Sequence, residues 1–296
     1  MKKYRGVFPA LYACYDSQGH IDPRGVRNMT RYLCASGVSG IFVNGKPGRE
    51  PSLTVREKVA VMENVMAQAE GQTPVLCQIG CEGTEECREL VRRTAECGAD
   101  AAVVLRPRET DGRLSSLLDA WRRTADIAGN TDMIFCDFPI PSSDEEKRML
   151  ADFGRDTRMK GIVVPEGGSA AVAQYRQVFG NDISLFATRE AEFEMCIRLG
   201  ADAFIGYLSA IIPEICVRLE SSIRFNTVRR GSGDSAVFRS VAALMDACDA
   251  PSAVAREVLK TARGVDCGSV RPPWPEMTAE DRERAAECVR IIRGLG

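Results

Sequence analysis

Histidine is almost missing from this chain: His20 is the only one in 296 residues. It stands in a turn, Ser17-Gln18-Gly19-His20, where a solvated loop side chain is the expected role. The 12 cysteines contain no Cys-x-x-Cys pair. With one histidine and unclustered thiols, no metal site and no cofactor are expected. The cysteines read as reduced, mostly buried thiols of a cytoplasmic protein. No apolar run approaches about 18 residues, which excludes a membrane-spanning helix. Residues 1–10 have two lysines but no long apolar segment, so no signal peptide is read there. A formal net charge of −2 supplies no basic surface for nucleic acid or an anionic membrane. Lysine is scarce too. Of 39 basic residues only Lys2, Lys3, Lys46, Lys58, Lys147, Lys160 and Lys260 are lysines, and any amine nucleophile must come from that short list.

What is present is a repeated strand–helix pattern, clearest at residues 40–57. Ile41-Phe42-Val43 is too short and too apolar for anything but a buried parallel strand. Asn44 to Arg49 is a glycine-bearing turn, and Thr54 with Glu57 forms a capping box that starts a helix. Buried strands are expected at 6–12, 41–43, 74–80, 101–105, 133–136, 161–164, 183–187 and 203–206. Helical patterns lie between them, with a short one at 144–150 and one at 190–199. Gly37, Gly98 and Gly200 each close a helix just before a strand. Eight such units predict an α/β fold, a (β/α)8 TIM barrel. An open doubly wound sheet is the alternative, but it usually carries a glycine-rich phosphate fingerprint after its first strand, and none is here. Beyond Ser209 the pattern is helical only, so a barrel at 1–228 and a helical appendage at 229–296 packed on it are expected.

The ordered set of motifs resembles the dihydrodipicolinate synthase / N-acetylneuraminate lyase family of class I aldolases over nearly the full length. Gly6-Val7-Phe8-Pro9-Ala10-Leu11 is similar to that family's first strand. Residues 40–57, with Gly45, Gly48, Leu53, Arg56 and Glu57, resemble its second-strand motif. Gly98-Ala99-Asp100-Ala101, Gly200-Ala201-Asp202-Ala203, Pro213-Glu214 and Val270-Arg271-Pro272-Pro273 follow in the family's order. The resemblance implies a barrel with C-terminal helices, assembled as a homo-oligomer, a dimer or tetramer. It also implies a small oxo-acid substrate bound as an imine on a lysine of the sixth strand. A tyrosine from the fifth strand relays protons, and hydroxyls in the second-strand loop hold the substrate carboxylate.

At those positions this chain differs. The loop is Gly45-Lys46-Pro47-Gly48-Arg49, without the hydroxyls or the acid. The tyrosine motif is Cys136-Asp137-Phe138-Pro139, followed by Pro141 where the family has arginine. The sixth-strand lysine position is Val163, and valine forms no imine. Arg108 and Glu109 stand where paired tyrosines are usual. The candidate catalytic residues are therefore Lys46 and Cys136. Lys46 is either a relocated amine or a cation for the substrate carboxylate. Cys136 is a nucleophile, a proton relay or an inert buried thiol. Gly45, Lys46, Gly48, Arg49, Arg106, Arg108 and Arg189 are the expected substrate-binding set. They form either an anion site or a solvated rim paired with Asp137, Glu109, Glu166 and Glu190. The expected partner is a small anionic metabolite such as a 2-oxo acid. Three readings stand: a divergent lyase or aldolase-like enzyme, a catalytically degenerate metabolite binder or partner subunit, and an enzyme of another class using Cys136.

Overall fold

The structure is a computed structural model, and it describes residues 3–45, 53–80, 84–107, 112–164, 168–227 and 233–294. Eight strands form one parallel sheet: β1 (Gly6–Pro9), β2 (Ile41–Val43), β3 (Val75–Ile79), β4 (Ala101–Val104), β5 (Asp132–Cys136), β6 (Met159–Val163), β7 (Ser184–Ala187) and β8 (Ala203–Gly206). Their order is β1-β8-β7-β6-β5-β4-β3-β2. The Leu11 amide donates to the Phe42 carbonyl and the Ser39 amide to the Val7 carbonyl, each at 2.9 Å, and these bonds bring the sheet's two ends together. The (β/α)8 barrel expected from the sequence is the fold found.

Helices α1 (Pro23–Ala35), α2 (Val55–Ala69), α3 (Thr84–Glu96), α4 (Leu114–Ile127), α5 (Asp144–Asp156), α6 (Gly168–Phe179) and α7 (Phe193–Arg198) surround it. A short α8 (Leu208–Ile211) and then α9 (Pro213–Arg224), α10 (Gly233–Asp246), α11 (Pro251–Arg263) and α12 (Ala279–Arg293) complete the chain. The division expected at 228/229 lies outside the described residues. Two element boundaries differ from the sequence expectation. Helix α5 runs past residue 150 because Phe153 is buried against Trp121, with ring centroids 6.0 Å apart. That packing outweighs the cost of about 1 kcal/mol for Gly154 inside the helix. The segment after β7 begins as a 3₁₀ turn, Glu190–Glu192, before α7.

Alternation along the strands sorts the core into two layers. Phe8, Phe42, Leu76, Val103, Ile134, Phe186 and Ile205 fill the lumen, while their neighbours face the helices. The lumen rings need empty space on adjacent strands. A Cβ on Gly161 would lie 2.8 Å from the Phe186 ring and 2.9 Å from the Ser184 carbonyl oxygen. Tyr4 closes the floor: its hydroxyl donates to the Asp100 carbonyl and to Asp132 Oδ2, both at 2.9 Å. The opposite end, where the strands finish, is left to loops, so any reacting group belongs there.

Candidate active site

Cys136 ends β5 and Val163 ends β6, and the two are register partners across the sheet. Both side chains pack against the lumen cluster, at its upper edge. The positions that the resemblance gives to tyrosine and lysine thus face the barrel interior side by side. What stands there is a thiol and an isopropyl group. Burial, with the nearby Asp137 charge second, pushes the Cys136 thiol up to about 12. A thiol in that state is a neutral weak donor at physiological pH rather than a thiolate nucleophile. Lys160 is also on β6, but near its beginning and exposed, away from the mouth.

The tops of β2 and β5 turn abruptly. Asn44 and Asp137 both adopt left-handed backbone, with φ of 61° and 58°. Asn and Asp tolerate that region better than other side chains, and such residues collect at sites that function requires. Asn44 Nδ2 donates to the Lys58 carbonyl at 3.3 Å, and its buried Oδ1 has no partner among the described residues. Gly45 is needed as glycine, because a Cβ there would lie 2.4 Å from the Phe42 ring. Lys46, Gly48, Arg49, Arg108, Glu109 and Glu166 lie outside the described residues.

The remaining expected cations separate. Arg106, just past β4, is exposed and has no ion-pair partner among the described residues. It lines a cavity of about 210 Å³ with Arg113, Leu114, Ile140, Pro141 and Ser142. Arg189 reaches Glu192 on its own turn, Nε to Oε1 at 3.3 Å. The expected partner Glu190 is instead buried, and its Oε1 accepts the Leu208 amide at 2.9 Å. Glu190 thus holds the β8–α8 turn and is not part of a solvated rim. Burial pushes its carboxyl up to about 8; the amides of Leu208 and Tyr207 oppose that shift, and the negative charge of Asp246 adds to it.

Two further side chains reach the mouth without having been singled out from the sequence. Lys58, in the first turn of α2, donates through Nζ to the Gly80 carbonyl at 2.9 Å, just past β3. The capping box was the available signal: it starts α2 at the mouth and so places Lys58 there. Tyr175 of α6 donates its hydroxyl to the Phe138 carbonyl. Burial and then the Asp137 charge push it up to about 12, with Arg106 working the other way. Nothing in its local sequence distinguishes Tyr175 from a core residue of a helix. Among the described residues no group of His, Cys, Asp and Glu is arranged to hold a metal.

The dihydrodipicolinate synthetase family profile matches residues 3–292. The chain belongs to that family. An N-acetylneuraminate lyase of Mediterraneibacter gnavus is 27% identical over 296 residues, covering 99% of this chain and 93% of the relative. A 4-hydroxy-tetrahydrodipicolinate synthase of Shewanella piezotolerans is 22% identical over 294 residues, covering 97% of this chain and 98% of the relative. Among solved structures, the wild-type sialic acid aldolase of Ruminococcus gnavus superposes with a TM-score of 0.89 at 27% identity, covering 99% of this chain and 98% of that one. A second structure of the R. gnavus sialic acid aldolase, that of a catalytic lysine mutant, gives the same TM-score of 0.89 at 26% identity. In this family member Cys136 and Val163 stand at the top of the lumen.

Proposed function

We propose that this protein is a lyase of the aldolase type that acts on a small 2-oxo acid at the barrel mouth through an amine other than one on β6. The observation that carries this reading is the in-register Cys136–Val163 pair at the top of the lumen, in a chain matching the family from residue 3 to residue 292. The R. gnavus relative has a catalytic lysine, and here β6 offers only Val163 in the lumen and exposed Lys160. Lys46, next after Gly45 beyond β2, is the amine assigned to the reaction.

The chemistry follows from the reading. A neutral Lys46 amine adds to the 2-oxo carbon, a proton is taken up from solvent, water leaves, and a protonated imine forms. That imine accepts the electron pair of the adjacent C–C or C–H bond as it breaks. Attack requires the neutral amine, the form that desolvation favours for a lysine. Cys136, kept as a thiol, serves as a donor beside the imine, not as a nucleophile. Arg106 and Lys58 supply positive charge for the substrate carboxylate. The test is hydrogen exchange at the methyl group of pyruvate in D2O, followed by proton NMR. The native protein should exchange those protons faster than buffer, Lys46→Gln should abolish the effect, and Cys136→Ala should slow it without abolishing it. Equal exchange by native protein and Lys46→Gln would remove Lys46 from the reaction. Ligand-induced thermal stabilisation with no exchange would instead favour a binder without turnover.

A further inference from the structure

The outer face of α1 carries a local positive charge that the chain's net charge of −2 conceals. Arg24, Arg27, Asn28 and Arg31 stand at helical spacing on one exposed stripe. At a rise of about 1.5 Å per residue, the arginines extend over roughly 10 Å of the helix axis. They line a shallow groove of about 530 Å³. Helix α1 itself contains no acidic residue. The acid on the groove's lining, Asp22, stands at its end and caps α1 by accepting the Arg24 amide at 2.9 Å. Elsewhere on the outer helices arginines pair with carboxylates, as Arg92 does with Glu89, Arg122 with Asp119 and Arg218 with Asp234. The arginines of α1 have no ion-pair partner among the described residues.

Neutral amides hold two of them instead. Arg27 Nε donates to Asn64 Oδ1 at 2.8 Å, and Asn64 is itself fixed by donating Nδ2 to the Ala60 carbonyl at 2.8 Å. Arg31 donates to Asn28 Oδ1 at 3.0 Å and to Gln68 Oε1 at 3.2 Å. These bonds orient the guanidinium groups without neutralising them. The terminal nitrogens of Arg27 stay available to a ligand, and each terminal nitrogen of Arg31 keeps a second N–H. Side chains ordered in advance remove part of the cost of binding. Guanidinium forks arranged in this way match the oxygens of successive phosphate groups.

We propose that the groove on α1 binds an oligophosphate, with Arg27 and Arg31 contacting its phosphate groups and Arg24 adding charge at one end. Its source is an inorganic polyphosphate or the phosphate chain of a nucleotide. The inference is independent of the 2-oxo acid reading.

Isothermal titration of the full chain, without divalent cations, with tripolyphosphate, orthophosphate, ATP and a hexaglutamate peptide tests this. Tripolyphosphate should bind about tenfold or more tightly than orthophosphate, a comparison that needs no variant to fold. Arg27→Gln with Arg31→Gln should weaken tripolyphosphate by about tenfold or more, the loss expected for charge-assisted contacts, and leave the unfolding temperature unchanged. Asn64→Leu keeps every charge on the stripe, so a weakening of several-fold there reports the orientation of Arg27 and not bulk attraction. ATP binding at least as tightly as tripolyphosphate assigns the site to nucleotides, and weaker ATP binding assigns it to inorganic polyphosphate. Tripolyphosphate that binds no more tightly than orthophosphate overturns the proposal, as does an affinity unchanged in the double arginine variant. Equal binding of the hexaglutamate peptide overturns it too, and gives the stripe to an acidic protein segment.

Discussion

Glu190 is a buried side chain whose charge state bears on the fold around the β8–α8 turn. Its Oε1 accepts the Leu208 amide, while Oε2 is buried with no partner among the described residues. Tyr12, Tyr207, Cys216 and Asp246 are its ionisable neighbours, and Asp246 adds to the cost of charging it. The carboxyl sits at about 8 in the fold against an ordinary 4.5. The folded state therefore holds a proton that the unfolded chain has already released between those two values. Glu190's contribution is fully present below about 4.5 and is lost as pH rises through about 8. Glu190→Gln keeps an acceptor for the Leu208 amide and removes the titration. Thermal unfolding should show the variant more stable than the native protein at pH 8.5, by an amount on the order of 2–4 kcal/mol, with little difference at pH 5. A native protein whose stability does not fall over that interval contradicts the assignment. Glu190 also marks a limit of sequence reading. Its place after a buried strand is legible, but a glutamate there looks like a rim charge. Only the close approach of the β8–α8 turn, with the Glu190 carboxylate 2.5 Å from where a Gly206 Cβ would stand, shows why it turns inward.

Among the elements, the strands are legible because a parallel barrel buries both faces, and each strand shows as a short apolar run. Ends are less so, since a boundary such as that of α5 is decided by distant packing of Phe153 on Trp121. The lumen-facing pair on β5 and β6 is legible only through the resemblance, because neither Cys136 nor Val163 carries chemistry that announces a site. Their register supplies a gain-of-function test. Val163→Lys puts an amine at the top of the lumen beside Cys136, so pyruvate and borohydride should label residue 163 in the variant, as peptide mapping would reveal. A stably folded variant with no label at 163 would place β6 in another register. Gly161 on the same strand gives a stability test. Gly161→Ala sets a methyl group against Phe186 and the Ser184 carbonyl, and denaturant unfolding should show a loss of roughly 1–3 kcal/mol. An unchanged midpoint would mean that the lumen rings have room to shift.

At the scale of the full chain, Arg271 is one of the residues that fasten the C-terminal segment to the start of the barrel. Arg271 donates to the Glu57 carboxylate and to the Gly19 carbonyl, and its guanidinium lies 4.9 Å from the centre of the Tyr15 ring. Arg256 of α11 lies over the same ring at 5.1 Å. Glu57 is also the capping-box residue of α2: its carboxylate accepts the Thr54 amide at 2.8 Å. One carboxylate therefore ties the tail to the helix that carries Lys58. The motif at residues 270–273 is legible as a family likeness, but its purpose needs the third dimension, since Arg271 and Glu57 are 214 residues apart. Arg271→Ala should lower stability by about 1–3 kcal/mol, and Glu57→Gln, which keeps most of the cap, should cost less. Calorimetry of the two variants separates them, and an Arg271→Ala protein that unfolds at the native temperature would show the tail is held by other contacts.

The chemistry proposed for the mouth turns on an imine formed by an amine outside β6. Borohydride reduction of the native protein with pyruvate and with a larger 2-oxo acid, followed by intact mass and peptide mapping, is the decisive experiment. A single adduct on Lys46 is the expected result. An adduct on Lys160 would contradict the placement of β6, and no adduct with either acid would contradict imine chemistry in this protein.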